Sequence, residues 1–439
     1  MLPKPLRMLW GDLSSEEVKK FGFLSFTFFF VIGSYWLLRP LKDGIFKSVV
    51  GMAYQPRAKM LSLCVLIPLI LLYSKLVDLV QKQKLFYVIC TVYSGIFLVI
   101  AYLLTHPTIG LANTVASPKR MLGWVSYFVI ESLGSIIVAL FWSFVISVTD
   151  SDSAKKGYPL ILAGAQIGSI LGPTLASNAK TFGLPLLTVF AAIGIIIVPF
   201  LIKFFITFVI DTKKYFAGMK KHAENKSKSG MMEGLKLLLT KPYLLGVFAI
   251  ATFYEVIGTI VDYQMKVLAA AKYTTPESFT SFMGMFGQTT NLLAFVLVLL
   301  GTSYLLRKFG LTFCLLIFPI AAGLVITNLY LNPTLWMAFT AMIVIKGVSY
   351  AVNNPAKEMM YIPTSKDVKF KAKSWIDMFG QRGAKATGAG VNNIFKTAIP
   401  QLMLYGTVIS LGLIGVWIVA ALFVGKTFNK LTKEGKIID

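Results

Sequence analysis

The chain has 439 residues, 56% of them hydrophobic and 14% charged, with 43 Lys and Arg against 19 Asp and Glu, and a mean hydropathy of +0.72. A water-soluble domain is nearer half apolar and about one-quarter charged, so this composition excludes an ordinary soluble globule and points to a chain solvated by lipid. The basic surplus leaves three readings, a nucleic-acid binder, an anchor at a cytoplasmic membrane face, or a basic cavity for an anion, and the positions of the cations decide among them.

Residues 1–20 mix Lys4, Arg7, Glu16, Glu17, Lys19 and Lys20. The apolar run that follows, 21–38, is too long for a signal-peptide core and has no small-residue cleavage site after it, so the first span is expected to remain in the mature protein. A spanning helix needs about 20 mostly apolar residues, and about twelve such segments follow one another. They are predicted at 21–40, 58–80, 85–105, 122–148, 157–178 and 185–210, then 243–265, 280–304, 311–331, 334–354, 375–396 and 401–425. The fifth and eleventh are rich in Gly and carry Gln166, Gln381, Arg382 and Lys385, which suits helices packed closely inside a bundle. The three cysteines, Cys64, Cys90 and Cys314, lie in apolar runs without metal or disulfide spacing, and His106 and His222 are given no role.

The polar stretch 211–241 divides the spans into six plus six. It holds Lys213, Lys214, Lys220, Lys221, Lys226, Lys228, Lys236 and Lys241, and positive loops stay cytoplasmic. The expected organisation is a six-helix bundle over 1–210, a basic cytoplasmic linker over 211–241 and a second six-helix bundle over 242–439, with both termini cytoplasmic. Lys426, Lys430, Lys433 and Lys436 agree with that side, as do Lys155 and Lys156, Arg307 and Lys308, and Lys366 to Lys373. Most of the positive charge is thus topological, which argues against nucleic acid and makes the bilayer the partner. Residues 149–172 and 364–388 each read as a Lys-bearing turn followed by a Gly-spaced span, in matching positions of the two halves. That is the pattern of an all-α, major-facilitator-like 6+6 transporter.

Charges at bilayer depth cost about 2.5–3.5 kcal/mol each on insertion scales and need a reason. Arg39, Lys42 and Asp43 fall late in span one, Glu131 in span four, Glu255 and Asp262 in span seven, Lys346, Lys357 and Glu358 in span ten, and Arg382 and Lys385 in span eleven. By fold analogy, spans one, four, seven and ten line the cavity of a major-facilitator carrier. Arg39, Lys42, Lys346, Lys357, Arg382 and Lys385 outnumber the acids, which suits an anionic substrate. The plainer readings are that Arg39, Lys42, Lys357 and Glu358 snorkel to headgroups, and that Glu131 and Glu255 tie helices together. Tyr35, Trp36, Tyr127, Phe253 and Tyr254 lie beside these charges, where they pack in the core or stack on a planar base. No phosphate-binding loop, zinc motif or Cys–His arrangement marks an enzyme, and no cofactor or metal is called for.

The segments RPLKDGIF, ESLGSIIVALFWSF, YEVIGTIVDYQMK and PAKEMMYIPTSKDVKFKAKSWIDMFGQRGAKATG resemble the ATP/ADP translocase family, the nucleotide transporters of plastids and obligate intracellular bacteria. The resemblance runs over nearly the whole chain, and the last segment is its most specific part. It implies a nucleotide substrate and a functional role for Lys42, Glu131, Glu255 and Lys385. Two departures leave the substrate range open: Asn353-Asn354-Pro355 stands where the family often has Asp-Pro, and Arg382 adds a cation beside Lys385.

The expected activity is exchange of ATP for ADP by alternating access in a multi-pass cell membrane, by the absence of a transit peptide a bacterial inner membrane. Lys42 and Lys385, with Arg39, Lys346, Lys357 or Arg382, hold phosphates. Glu131 and Glu255 pair with cations in the empty carrier, and Tyr35 or Phe253 stacks on the base. The alternative is a proton-coupled symporter of nucleotides or another phosphorylated or organic anion, with Glu131 or Glu255 carrying the proton.

Overall fold

A computed structural model describes residues 13–149, 151–209 and 231–439. The cations expected at the start of the chain, Lys4 and Arg7, and the linker lysines from Lys213 to Lys228 lie outside the described residues. The described chain is helical, with one isolated β-bridge between Thr364 and Ile438. In order the helices are α1 Ser15–Val49, α2 Gln55–Leu79, α3 Lys82–Thr105, α4 Met121–Val148, α5 Ser151–Ser177, α6 Ala179–Phe204, α7 Met231–Thr240, α8 Pro242–Lys272, α9 Pro276–Leu331, α10 Leu335–Val348, α11 Asn354–Met359, α12 Lys366–Trp375, α13 Gln381–Phe395 and α14 Ile399–Glu434. Among the described residues, eleven helices are long and apolar enough to cross a membrane. The protein is a multi-pass membrane protein.

Local chemistry sets the helix ends. Ser14 and Glu17 form a capping box at the start of α1, with Ser14 Oγ accepting from the Glu17 amide at 3.2 Å and Glu17 Oε2 accepting from the Ser14 amide at 2.8 Å. Thr334 caps α10 and Ser365 caps α12, each side-chain oxygen accepting the backbone N–H of the third helical residue, Met337 and Val368. Gly310 takes φ +76°, a conformation closed to most side chains, within α9, along which two candidate spans lie, Pro276–Leu299 and Lys308–Leu331.

The segment predicted as the eleventh span differs from the others. Residues 366–395 are helical throughout, α12 and α13 being joined by a π turn at Ile376–Gly380. At 1.5 Å per residue this rod is about 45 Å long, enough to cross a bilayer. Its polar load, Gln381, Arg382, Lys385, Asn392 and Asn393, keeps it out of the apolar set. A second π turn, Ser349–Asn353, joins α10 to α11. Single π turns inside helices often accompany functional sites, because the extra residue re-aims the side chains that follow.

By contact the chain forms two compact units. One takes in the described parts of Met1–Gly51, Cys64–Ser227 and Tyr273–Gln288, the other those of Met52–Leu63, Lys228–Lys272 and Thr289–Asp439. In the first, α1 packs along α5 through a row of glycines. A Cβ on Gly164, Gly168 or Gly172 would run into backbone atoms of Ser25, Phe29 or Gly33, so the two backbones touch as small-residue membrane helices do. Phe28 stacks on Phe141 at 4.1 Å between ring centres to complete the core. In the second unit α8 is the buried axis. Gln264 donates to the Leu402 carbonyl of α14 at 3.0 Å, and Asn392 of α13 donates to the Thr259 carbonyl at 3.0 Å. Such bonds replace water for polar groups that lipid cannot satisfy.

Candidate functional site

The first unit builds its charged cluster on α1 and α4. Pro40 lies inside α1 and cannot donate to the carbonyl one turn back, which loosens the helix just before its charges. Lys42 and Asp43 are 8% and 5% exposed. Lys42 Nζ donates to Glu131 Oε1 in a tight ion pair, and it lies 4.7 Å from the centre of the Tyr127 ring, one turn before Glu131 on α4. Arg39, half-buried, stacks over Trp36 at 4.4 Å and reaches toward Tyr35 at 5.9 Å. The Tyr35 ring in turn rests on Gly134 of α4, where any side chain would collide with it. Tyr35, Arg39 and Lys42 of α1 thus form one cluster with Glu131 of α4, 89 residues beyond Lys42.

The second unit builds its cluster on α8, α10, α11 and α13. Glu255 is 8% exposed and lies 3.7 Å from Lys385 Nζ. The two partners differ in access, the Lys385 side chain being 44% exposed and that of Glu255 10%. Lys346, Lys357 and Lys59 are also within electrostatic reach of Glu255, so one acid faces four cations. Lys346 Nζ stands 3.4 Å from the Tyr254 hydroxyl, and both Lys346 and Lys357 lie over the Tyr254 ring, at 5.2 and 4.9 Å. Glu358 turns to Lys373 of α12 at 2.5 Å. Arg382 is half-buried on α13, one turn before Lys385, and Phe253 is half-buried on α8.

Two features escaped sequence reasoning. The aromatics beside the charges act as platforms for cations, a contact worth about 2 kcal/mol when water is excluded. Trp36, Tyr127 and Tyr254 each lie under an ammonium or guanidinium group, and Tyr254, 5% exposed, has no face open to a base. Asp262 also joins Lys266 at 2.9 Å and Lys59 at 3.7 Å. The four-residue spacing of Asp262 and Lys266 was a readable signal; Lys59 lies some two hundred residues earlier, and nothing in the sequence links it to them.

A family model described as TLC ATP/ADP transporter matches residues 4–332 and 320–428. The chain is 28% identical to the ADP,ATP carrier protein 2, chloroplastic, of Arabidopsis thaliana, over 96% of this chain and 76% of that one. It is 25% identical to the ADP,ATP carrier protein 1 of Chlamydia muridarum, over 96% and 91%. Among solved structures, the nucleoside transporter NupG superposes with a TM-score of 0.59 at 15% identity, covering 93% of this chain and 98% of the other. At that identity the likeness is one of fold, and the fold is of the major-facilitator type.

Proposed function

Since the chain belongs to the TLC ATP/ADP transporter family, we propose that it exchanges ATP for ADP, or closely related nucleotides, across the membrane it spans. It is a transporter and not an enzyme. The observation that carries the reading is that each unit holds a lysine–glutamate pair with one partner buried, Lys42 paired with Glu131 and Glu255 paired with Lys385, amid further cations. A phosphate oxygen is a stronger partner for these cations than a carboxylate, because it brings more charge and more acceptors. Nucleotide displaces the glutamates, and on its departure they close back onto the lysines.

Those internal pairs make exchange obligatory. An empty carrier is held by its own salt bridges, and only the loaded form passes between the two access states. Residues 1–210 and 242–425 rock as bodies in this reading, with Lys42, Lys385, Arg39, Lys346, Lys357 and Arg382 meeting phosphates. Tyr35 or Phe253, both half-buried, takes the base. Both termini and the lysine-rich linker face the cytoplasm of a bacterial inner membrane, as the positive-inside rule directs.

The test is uptake of labelled ATP into proteoliposomes preloaded with ADP or with buffer alone. Uptake that requires internal ADP is expected. Uptake into buffer-filled vesicles driven by a proton gradient would replace exchange with symport, with Glu131 or Glu255 as the proton carrier. No uptake by folded protein under either condition would remove the nucleotide assignment.

A further inference from the structure

Tyr254 is the most enclosed aromatic among the groups around Glu255. Its ring packs against Phe318 at 5.6 Å between centroids, and Phe318 packs edge-on against the fully buried Trp417 at 5.1 Å. The ring is therefore held from the apolar core of its unit, and two cations reach it from elsewhere. Lys346 is on α10 and Lys357 on α11, beyond the π turn Ser349–Asn353. Along a helix at 1.5 Å per residue their Cα atoms are about 16 Å apart. Both ammonium groups still lie about 5 Å from one ring centre. They reach it only by extending toward each other, against their mutual repulsion.

The negative face of the ring offsets that repulsion, and the hydroxyl touches Lys346. Gly258, one turn along α8 from Tyr254, leaves the space that the Lys346 ammonium fills, which lies 3.7 Å from where a Cβ would be. Glu255 is already shared with Lys385, so the pair gathered on Tyr254 has positive charge to spare.

We propose that Tyr254 is a positioning residue that gathers the Lys346 and Lys357 ammonium groups into a clamp for a polyphosphate chain, so that affinity rises with the number of phosphates. The inference rests on the nucleotide-exchange reading and adds to it the residue that sets phosphate-number specificity. Two cations fixed a short distance apart gain more from a chain of phosphates than from a single one. The same cations left free gain less, because binding must first order them.

The experiment replaces Tyr254 in the full-length protein and measures uptake of ATP, ADP and AMP in proteoliposomes, with inorganic tripolyphosphate as competitor. Tyr254→Phe keeps the ring and removes the hydroxyl that Lys346 touches, so it is expected to raise the KM for ATP by less than Tyr254→Leu does. Tyr254→Leu is expected to raise the KM for ATP about tenfold and to weaken tripolyphosphate competition equally, with a smaller change for ADP and the least for AMP. Fluorinated phenylalanines at position 254 serve where the leucine variant does not fold. They keep the shape and drain the negative face of the ring, so ATP affinity should fall stepwise with fluorine number while AMP affinity stays flat. Equal shifts for all three nucleotides, or no dependence on fluorine number, would overturn the proposal while leaving exchange intact. A parent protein that takes up no nucleotide would instead remove the exchange reading on which it rests.

Discussion

Lys42 and Glu131 tie α1 to α4 through one ion pair, and the proposed exchange asks the same pair to open for nucleotide. Lys42 is 8% exposed, and the Glu131 side chain is 28% exposed. A buried charge that loses its partner costs about 3–5 kcal/mol, less where one partner still sees solvent. Lys42→Ala is expected to lower the melting temperature of the detergent-solubilised protein and to abolish exchange. The charge-reversed double variant Lys42→Glu with Glu131→Lys restores the pair, so the melting temperature should recover. Exchange should not recover, because the cation then projects from α4 and no longer lies over Tyr127. Recovery of uptake in the double variant would show that the pair only holds helices together.

The elements depend on close backbone approach more than on side-chain bulk. Gly168 lies against the Phe29 carbonyl and the Gly33 amide, with a Cβ placed only 2.6 and 2.9 Å from them. Overpacking of this kind costs about 1–3 kcal/mol or more, since neither backbone can yield without bending a helix. Gly168→Leu should therefore destabilise the first unit, read as a lower melting temperature. Gly95 on α3 is the control, because a Cβ there meets nothing within 4 Å. Gly95→Ala is expected to be neutral or to stabilise by about 0.5–1 kcal/mol, through reduced entropy of the unfolded helix segment. The π turns at Ser349–Asn353 and Ile376–Gly380 precede Lys357 and Lys385, so two of the four cations around Glu255 follow irregular helix.

At the scale of the whole molecule, the formal charge of +24 divides between cations in the polar stretches that join the spans and cations inside the two units, such as Lys42 and Lys266. If ATP carrying four negative charges exchanges for ADP carrying three, one charge crosses per cycle. A membrane potential then biases the exchange by about 2.3 kcal/mol per 100 mV. Imposing a potassium-diffusion potential across ADP-loaded proteoliposomes should accelerate or slow ATP uptake according to its sign. Indifference to the potential would mean that a counter-charge, such as a proton on Glu131 or Glu255, travels with ATP.

The sequence by itself determined that the chain spans a membrane many times, which residues carry charge into it, and the family to which it belongs. The reason is energetic. A run of about 20 apolar residues has one low-energy arrangement in lipid, and each charge inside it stands out because it is costly. Lys42, Glu131, Glu255 and Lys385 were legible on that ground. The tertiary structure decided which charges meet. Lys59 reaches Asp262, Tyr127 lies under Lys42, and Lys346 and Lys357 both lie over Tyr254. Partners such as Lys42 and Glu131 are set by packing between helices distant in the chain, and a sequence records spacing only along one helix. An apolar periodicity likewise says nothing of a π turn, whose extra residue is stabilised by contacts with neighbouring helices and not by the local choice of side chains.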